Sequence, residues 1–321
     1  MFWWHSCCSV PPFFILNMDR YGIPYMGSKN KIADWVLSYL PRAENFYDLF
    51  CGGCAITHCA MTTDKYKHFF INDIKSEMPT LFLDCINGKY ANETRWISKN
   101  DFDRLKGTGD AYVDICFSFG NNWRKGYAYS KDIEPFKKAF HYAVFFDDYS
   151  LMKEDYNIDL SHLSYIDGFY NKYINAKKCI EIGLNTSLQY LESFTRLQSL
   201  ERLKTLQRIE SFGYTITPSF NSYDCVSIRE NSVIYCDIPY RSTATYNDFE
   251  FDYDKFYDWA LSQKEPIFIS EYDMTSDFIC IAEKEKICQL SATNNALKST
   301  ERIFVPKHQY ELVKPLTLFD F

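Results

Sequence analysis

The stretch FYDLFCGG, residues 46–53, decides the fold of this chain. Its aromatic and apolar first half predicts a buried strand, and its paired glycines predict a tight turn directly after that strand. A helix is predicted over residues 55–61, and a second strand over residues 68–71 ends on Asn72 and Asp73. Strand, glycine turn, helix and strand in this order form a βαβ unit, whose strands should lie parallel with a right-handed crossover.

The alternation of strands and helices continues outside this unit. Residues 30–40 have apolar side chains at helical spacing and stop at Pro41, so a short helix is predicted there. Later in the chain the pattern predicts strands at residues 214–219, 233–236 and 266–269, a helix at 253–261, and a closing hairpin containing residues 287–290 and 302–305. The sequence therefore predicts an α/β fold with a Rossmann-like sheet.

Residues 89–205 break this alternation and predict an inserted, largely helical domain. Apolar residues recur at every third position from Leu188 to Ile209, and such a stripe drifts by about 60° per step around an α-helix of 3.6 residues per turn. Two short helices, or one helix buried on several sides, fit this spacing better than one straight helix. The predicted division is a poorly ordered extension at residues 1–18, an α/β domain at 19–88 and 206–321, and the insertion between its two parts.

The composition of the 321-residue chain is that of a globular protein with a surplus of acidic residues. Hydrophobic residues make up 46% and charged residues 24%, and the formal net charge is −7. A nucleic-acid binder with this charge needs a local basic footprint, because positive charge is required only where phosphates lie. The pair Arg124-Lys125 is the first candidate; further candidates are Lys137-Lys138, Lys172 with Lys177 and Lys178, and the basic residues between 196 and 208.

The cysteines and the N-terminal residues indicate where the protein works. Twelve cysteines, irregularly spaced and partly within apolar runs, predict reduced thiols and a cytoplasmic location. The first 17 residues are apolar but lack a basic start and contain Pro11-Pro12, so a signal peptide is not expected.

Three acidic residues follow or end predicted strands: Asp48, Asp73 and Asp237. In open α/β sheets, ligands bind beyond the carboxyl ends of the strands. A glycine turn after the first strand allows a ligand to approach the backbone closely, and an acid at the end of the next strand can accept both hydroxyls of a ribose. These features predict a cofactor that contains a nucleoside.

The tetrapeptide Asp237-Ile238-Pro239-Tyr240 suits chemistry on an exocyclic amine. A carboxylate and a neighbouring backbone carbonyl can accept the two protons of such an amine, which points the nitrogen lone pair at a methyl donor. The aromatic ring can stack on the base, and proline fixes the local backbone. An adenine in a duplex reaches such a pocket only when it is flipped out of the helix.

These residues resemble the Dam-like, D12 class of DNA adenine-N6 methyltransferases. Asp237-Ile238-Pro239-Tyr240 is similar to the catalytic Asp-Pro-Pro-Tyr motif of that family, with Ile238 in place of the first proline. The family supplies a backbone carbonyl at this position, and isoleucine keeps it. The resemblance implies a Rossmann-like sheet that uses S-adenosylmethionine, catalysis by Asp237, Pro239 and Tyr240, double-stranded DNA as substrate, and target recognition by the inserted domain, with Arg124 and Lys125 as DNA contacts.

Further segments are similar to the family's cofactor motifs, in the family's order. Residues 25–31 resemble the N-terminal motif, which implies cofactor contacts from Tyr25 and from Lys29, the latter with the methionyl carboxylate. Residues 48–53 resemble the cofactor loop, with Cys54 where a further glycine is usual. The implied cofactor-binding residues are Tyr25, Lys29, Asp48, Phe50, Gly52, Asp73, Asp224 and Asp237. Residues 268–272 and 301–304 are similar to later sheet motifs.

Three other interpretations remain open at this point. The group Cys51, Cys54, His58 and Cys59 could suggest a metal site, but the second ligand pair of a structural zinc site is missing, so no metal is expected. A methyltransferase that acts on RNA or on a protein amide can share the same tetrapeptide. A DNA-binding protein that has lost catalysis would fit the change at Ile238. The oligomeric state and the role, in a restriction–modification system, a phage or alone, are not determined.

Overall fold

The computed structural model describes residues 21–23, 27–119, 126–183, 213–241, 251–288 and 297–313. Five of the sequence-based interpretations lie outside these residues. They are the extension at residues 1–18, the contact assigned to Tyr25, the basic pair Arg124-Lys125, the repeat from Leu188 to Ile209, and the candidate basic residues between 196 and 208.

The described strands form one seven-stranded sheet. They are β1 (Asn45–Asp48), β2 (His68–Asn72), β3 (Thr215–Ser219), β4 (Ser232–Asp237), β5 (Ile267–Glu271), β6 (Phe278–Cys288) and β7 (Leu297–Pro306). Their order across the sheet is β3-β2-β1-β4-β5-β7-β6. The first five strands are parallel, and β7 pairs antiparallel with both β5 and β6. The predicted parallel pairing of the first two strands is therefore confirmed.

Ten α-helices belong to the described residues. They are α1 (Ala33–Tyr39), α2 (Ala55–Met61), α3 (Glu77–Ile86), α4 (Lys99–Leu105), α5 (Ala111–Cys116), α6 (Glu134–Phe146), α7 (Ser150–Tyr156), α8 (Phe169–Gly183), α9 (Tyr253–Leu261) and α10 (Tyr310–Val313). The helices predicted at residues 55–61 and 253–261 are confirmed at those bounds. None of the described helices is long and apolar enough to cross a membrane.

Both faces of the central strands are covered. Strands β1 and β5 are buried along their whole length, as expected of a parallel sheet with helices on both sides. Successive side chains alternate between two buried clusters, so Phe46 packs with residues of α1 and α2, whereas Tyr47 packs with residues of α9. This continuous burial fixes the strand register and with it the positions of the residues at the strand ends.

The two outer strands depart from this apolar pattern. Strand β3 lies at one edge and contains Pro218, which an edge strand tolerates because one side needs no ladder hydrogen bonds. Strand β6 lies at the other edge and begins at Phe278, well before the predicted start at residue 287. Its exposed run Glu283-Lys284-Glu285 hides the strand pattern, and charge on an outer strand discourages pairing with other chains.

The described part of the predicted insertion packs in two groups. Buried side chains between Tyr90 and Tyr129 belong to the same cluster as one face of the sheet. Buried side chains between Phe136 and Ile180, from α6 to α8, form a cluster of their own. Residues 184–212 lie outside the described ranges, and the division at 88/89 and 205/206 stays a prediction.

Candidate functional site

The carboxyl ends of the parallel strands bring the predicted acids to one edge of the sheet. Asp48 ends β1, Asp73 follows β2 and Asp237 ends β4. Because β1 pairs with both β2 and β4 in parallel register, these three strand ends are neighbours. Asp48 and Asp237 lie close enough for the charge of one to raise the pKa of the other.

The glycine loop is tied to Asp73 through its backbone. The N–H of Gly52 donates to Oδ2 of Asp73 at 2.9 Å, and the N–H of Lys75 donates to Oδ1 at 3.0 Å. Gly52 has φ of 44°, and Cys54 also lies in the left-handed region with φ of 54°. The backbone at Cys54 therefore favours glycine, which explains the residue that the family usually has there.

Gly22 and Ile23, which precede the N-terminal motif at residues 25–31, pack directly on the glycine loop. The N–H of Ile23 donates to the Gly53 carbonyl at 2.7 Å, and the N–H of Gly22 donates to Nδ1 of His58 at 2.9 Å. A Cβ at Gly22 would lie 2.3 Å from the Gly53 oxygen, so only glycine fits. His58 thus has a structural partner, and no three candidate ligands come together as a metal site among the described residues.

The two carboxyl oxygens of Asp48 are buried in different hydrogen-bonding environments. The hydroxyl of Thr57 donates to Oδ2 at 2.6 Å, whereas Oδ1 is buried without a hydrogen-bond partner in the part of the chain that the structure describes. Burial raises the pKa of Asp48 to about 7; the Thr57 hydrogen bond opposes this shift, and the charges of Asp237 and Asp73 add to it. The group is therefore partly protonated near neutral pH.

Lys29 lies between two carboxylates, one of them in the tetrapeptide Asp237-Ile238-Pro239-Tyr240. Its Nζ is 2.8 Å from Oδ1 of Asp237 and 3.9 Å from Oε2 of Glu301, and it sits 4.6 Å from the centre of the Tyr240 ring. Burial acts to lower the pKa of Lys29, but Asp237 and Glu301 outweigh it, so the pKa is raised. Lys29 is therefore charged and pairs with Asp237.

Tyr240 is held at both its hydroxyl and its ring. The hydroxyl donates to Oε2 of Glu301 at 2.6 Å, and the ring meets Tyr272 edge-on with centroids 4.4 Å apart. Burial and the nearby carboxylates of Asp237 and Glu301 raise the pKa of Tyr240 well above its usual value. The hydroxyl therefore stays protonated and acts as a donor.

The middle of the tetrapeptide is fixed by packing rather than by a second proline. Ile238 is 2% exposed and belongs to the buried cluster that includes α9. The carbonyl of Pro239 accepts a hydrogen bond from the hydroxyl of Tyr253 at 2.9 Å. Isoleucine lacks the ring of the proline that the family motif has at this position. The burial of Ile238 restricts the backbone there instead.

Phe50 and Asp224 lie on the side of the site next to α9. The Phe50 ring contacts the rings of Tyr223 and Phe256, with centroids 5.5 Å and 5.8 Å apart. Asp224 lies beside Tyr223 in a short 3-10 helix and pairs with Lys255 at 2.7 Å. Of the residues assigned to the cofactor, Lys29, Asp48, Gly52, Asp73 and Asp237 are linked by direct contacts or charge, whereas Phe50 and Asp224 join through Tyr223.

Sequence reasoning assigns no role to Glu271 and Glu301, which the structure places beside the tetrapeptide. Glu271 ends β5 and accepts the backbone N–H of Arg241 at 3.3 Å and that of Tyr272 at 2.6 Å. Burial raises its pKa to about 7. Glu271 ends an apolar strand, a position that could have identified it, whereas Glu301 lies among polar residues of β7, where the sequence gives no signal of its burial.

A pocket of about 390 Å³ opens next to this edge. It is lined by Arg241, Glu271, Tyr272, Asp273, Met274 and Thr275. The pocket begins at the residue that follows the tetrapeptide, so a ligand group could enter the site from this side.

One family of known proteins matches this chain. The model of the D12 class N6 adenine-specific DNA methyltransferase family matches residues 25–312, nearly the whole chain. No curated protein matches the chain significantly. The chain belongs to the D12 class of N6 adenine-specific DNA methyltransferases.

Proposed function

We propose that the edge site of this DNA adenine methyltransferase binds S-adenosylmethionine and an extruded adenine of double-stranded DNA side by side. The observation behind this proposal is the position of the tetrapeptide. Asp237 ends the strand next to β1, whose own end continues into the glycine loop. Groups suited to an amine and groups suited to a nucleoside therefore share one edge of the sheet.

The residues at this edge suit a positively charged nucleoside donor. Asp73 and Asp237 supply negative charge, and Asp48, which is partly protonated near neutral pH, has a buried Oδ1 without a hydrogen-bond partner among the described residues. S-adenosylmethionine supplies a methyl group on a positively charged sulfur. In this assignment Asp73 accepts the ribose hydroxyls, Gly52 allows close approach, and Phe50 and Asp224 line the side of the adenine.

The tetrapeptide would hold the target amine. Asp237 and the Ile238 carbonyl accept its two protons, so that the nitrogen lone pair faces the donor, and Tyr240 stacks on the extruded base. Lys29, whose Nζ lies 2.8 Å from Oδ1 of Asp237, would hold this carboxylate in place. We assign target recognition to the insertion at residues 89–205, with Arg124 and Lys125 as phosphate contacts.

Methyl transfer from labelled S-adenosylmethionine to unmodified DNA tests this function. The parent protein is expected to label adenines within a defined sequence, which mapping of the methylated bases would identify. Asp237→Ala should lower the rate by at least about a hundredfold, since it removes an acceptor of the transition state. The control Asp258→Ala, an exposed acid on α9, should transfer at the parent rate.

The two possible failures are distinct. If the parent labels no adenine in any DNA, the enzymatic function is wrong. If the parent is active and Asp237→Ala equals Asp258→Ala, the function stands and the site lies elsewhere.

A further inference from the structure

We propose that Glu301 is a positioning residue for methyl transfer, acting through the Tyr240 hydroxyl to orient the ring that receives the extruded base. The proposal rests on the function proposed above and extends it to a residue outside the tetrapeptide. Glu301 lies on β7, which is antiparallel to the strands that supply the other acids.

The burial of Glu301 needs an explanation in function or in pairing. The side chain is 2% exposed in a strand whose next inward residues, Ile303 and Val305, are fully buried. A buried carboxylate is costly unless it is paired and hydrogen-bonded. Both compensating partners are residues of the site, since Tyr240 donates to it at 2.6 Å and Lys29 lies 3.9 Å away.

The hydrogen bond adds a directional restraint to a ring that already contacts Lys29 and Tyr272. Tyr240 ends the tetrapeptide and is half-buried, and Pro239 before it is exposed. Its ring is bounded by Lys29 on one face and by the edge of Tyr272. A charge-assisted bond from the hydroxyl to Glu301 sets the remaining orientation, and such bonds are about twice as strong as neutral ones. A ring held in advance costs less ordering when the base arrives.

Two conservative variants separate this role from a role in folding. Tyr240→Phe keeps the ring and removes the donor, while Glu301→Gln keeps the volume and removes the charge. Each should slow single-turnover methyl transfer by about tenfold, the change expected from loss of one charge-assisted hydrogen bond. The affinity for S-adenosylmethionine should stay within about twofold, because neither hydroxyl nor carboxylate is assigned to the cofactor. The control Glu283→Gln, an exposed glutamate on β6 that pairs with Arg302, should keep the parent rate.

The double variant Tyr240→Phe with Glu301→Gln decides whether the two residues act together. If Glu301 acts through the hydroxyl, the double variant should be no more than about threefold slower than the slower single variant. Losses that multiply to about a hundredfold, or parent rates in Tyr240→Phe, would overturn the proposal. If Glu301→Gln does not fold, Tyr240→Phe alone decides, since it retains the buried ring.

A fluorescent adenine analogue at the target position gives a readout independent of transfer. Both single variants should show a smaller rise in 2-aminopurine fluorescence on DNA binding than the parent, and unchanged fluorescence would count against positioning. The rate of methyl transfer by the parent tests the proposed function. The ratio of the variant's transfer rate or fluorescence rise to that of the parent tests the role of Glu301. If the parent transfers no methyl group, the proposed function is wrong and this role of Glu301 is wrong with it.

Discussion

Asp48 is a residue whose ionisation works against folding. Its pKa is raised to about 7 in the native state by burial, from an ordinary value of 3.8. The native state thus binds the proton of Asp48 more tightly than the unfolded state does. Protonation of Asp48 therefore contributes fully to the free energy of unfolding below about pH 4, and this contribution is lost as the pH rises towards 7. Asp48→Asn imitates the protonated form and keeps an oxygen for Thr57. The variant should gain stability relative to the parent between pH 5 and 8, by at most about 4 kcal/mol.

Urea unfolding of parent and variant across this pH range measures the effect. The control Asp64→Asn removes an exposed acid whose pKa is lowered by its hydrogen bond to Arg42, and it should show no gain at neutral pH. A stability difference between parent and Asp48→Asn that does not change with pH would contradict the raised pKa.

At this scale the sequence predicts the acids at the strand ends better than their partners. Asp48, Asp73 and Asp237 are recognisable because each follows an apolar run, and the structure brings them to one edge. Glu301 is not predictable as a partner of Tyr240, because the two residues are 61 positions apart and meet only after β7 has paired with β5. A contact of this kind depends on the sheet order, which local patterns do not contain.

Helix α1 shows how an element can depend on a distant residue. The ammonium of Lys65 donates to the carbonyls of Leu37 and Leu40 at 2.7 Å each, at the C-terminal end of the helix, where the Leu37 carbonyl also accepts the N–H of Leu40 at 3.3 Å. Lys65→Met keeps the aliphatic chain and removes both bonds. It should destabilise the fold by about 1–2 kcal/mol, a value that allows for partial exposure.

Chemical denaturation would measure this loss against Lys67→Met, a neighbouring lysine that is exposed. Equal stability of the two variants would show that the cap contributes nothing. The sequence predicts the end of α1 from Pro41, but the capping role of Lys65 is not predictable, because it follows from the packing of the loop before β2 against the helix.

For the molecule as a whole, ligand binding should raise the free energy of unfolding. A ligand at 100 times its dissociation constant stabilises the native state by about 2.7 kcal/mol. Loss of charge-assisted hydrogen bonds to a ribose weakens binding by about 1.5–3 kcal/mol. At the same ligand concentration, Asp73→Ala should therefore retain less than about half of the thermal shift that S-adenosylmethionine produces in the parent.

The unliganded melting temperature of Asp73→Ala reports any damage to the loop that Asp73 holds through Gly52. The control Asp155→Ala, an exposed acid on α7, should keep the full shift. An undiminished shift in Asp73→Ala would remove Asp73 from the cofactor site.

The fold class was predictable from the sequence, whereas the path of the chain through the sheet was not. Apolar runs at β1, β2, β4 and β5 reveal the strands, and the long connection after β2 implies a crossover. The sequence from Phe278 to Pro306 does not indicate that β7 is placed between β5 and β6 in the sheet. That placement follows from pairing energy between strands and from closing the hairpin, both of which are properties of the assembled sheet.

The position of β7 inside the sheet has a consequence for synthesis on the ribosome. Strand β5 leaves the ribosome before β7, and its fully buried residues have no neighbour on that side until β7 arrives. During this interval the nascent chain presents an apolar, unpaired strand edge, the kind of surface that pairs with other chains. Chains that stop before β7 should therefore aggregate as well as lack Glu301, so premature termination yields insoluble material rather than a free, partly active enzyme.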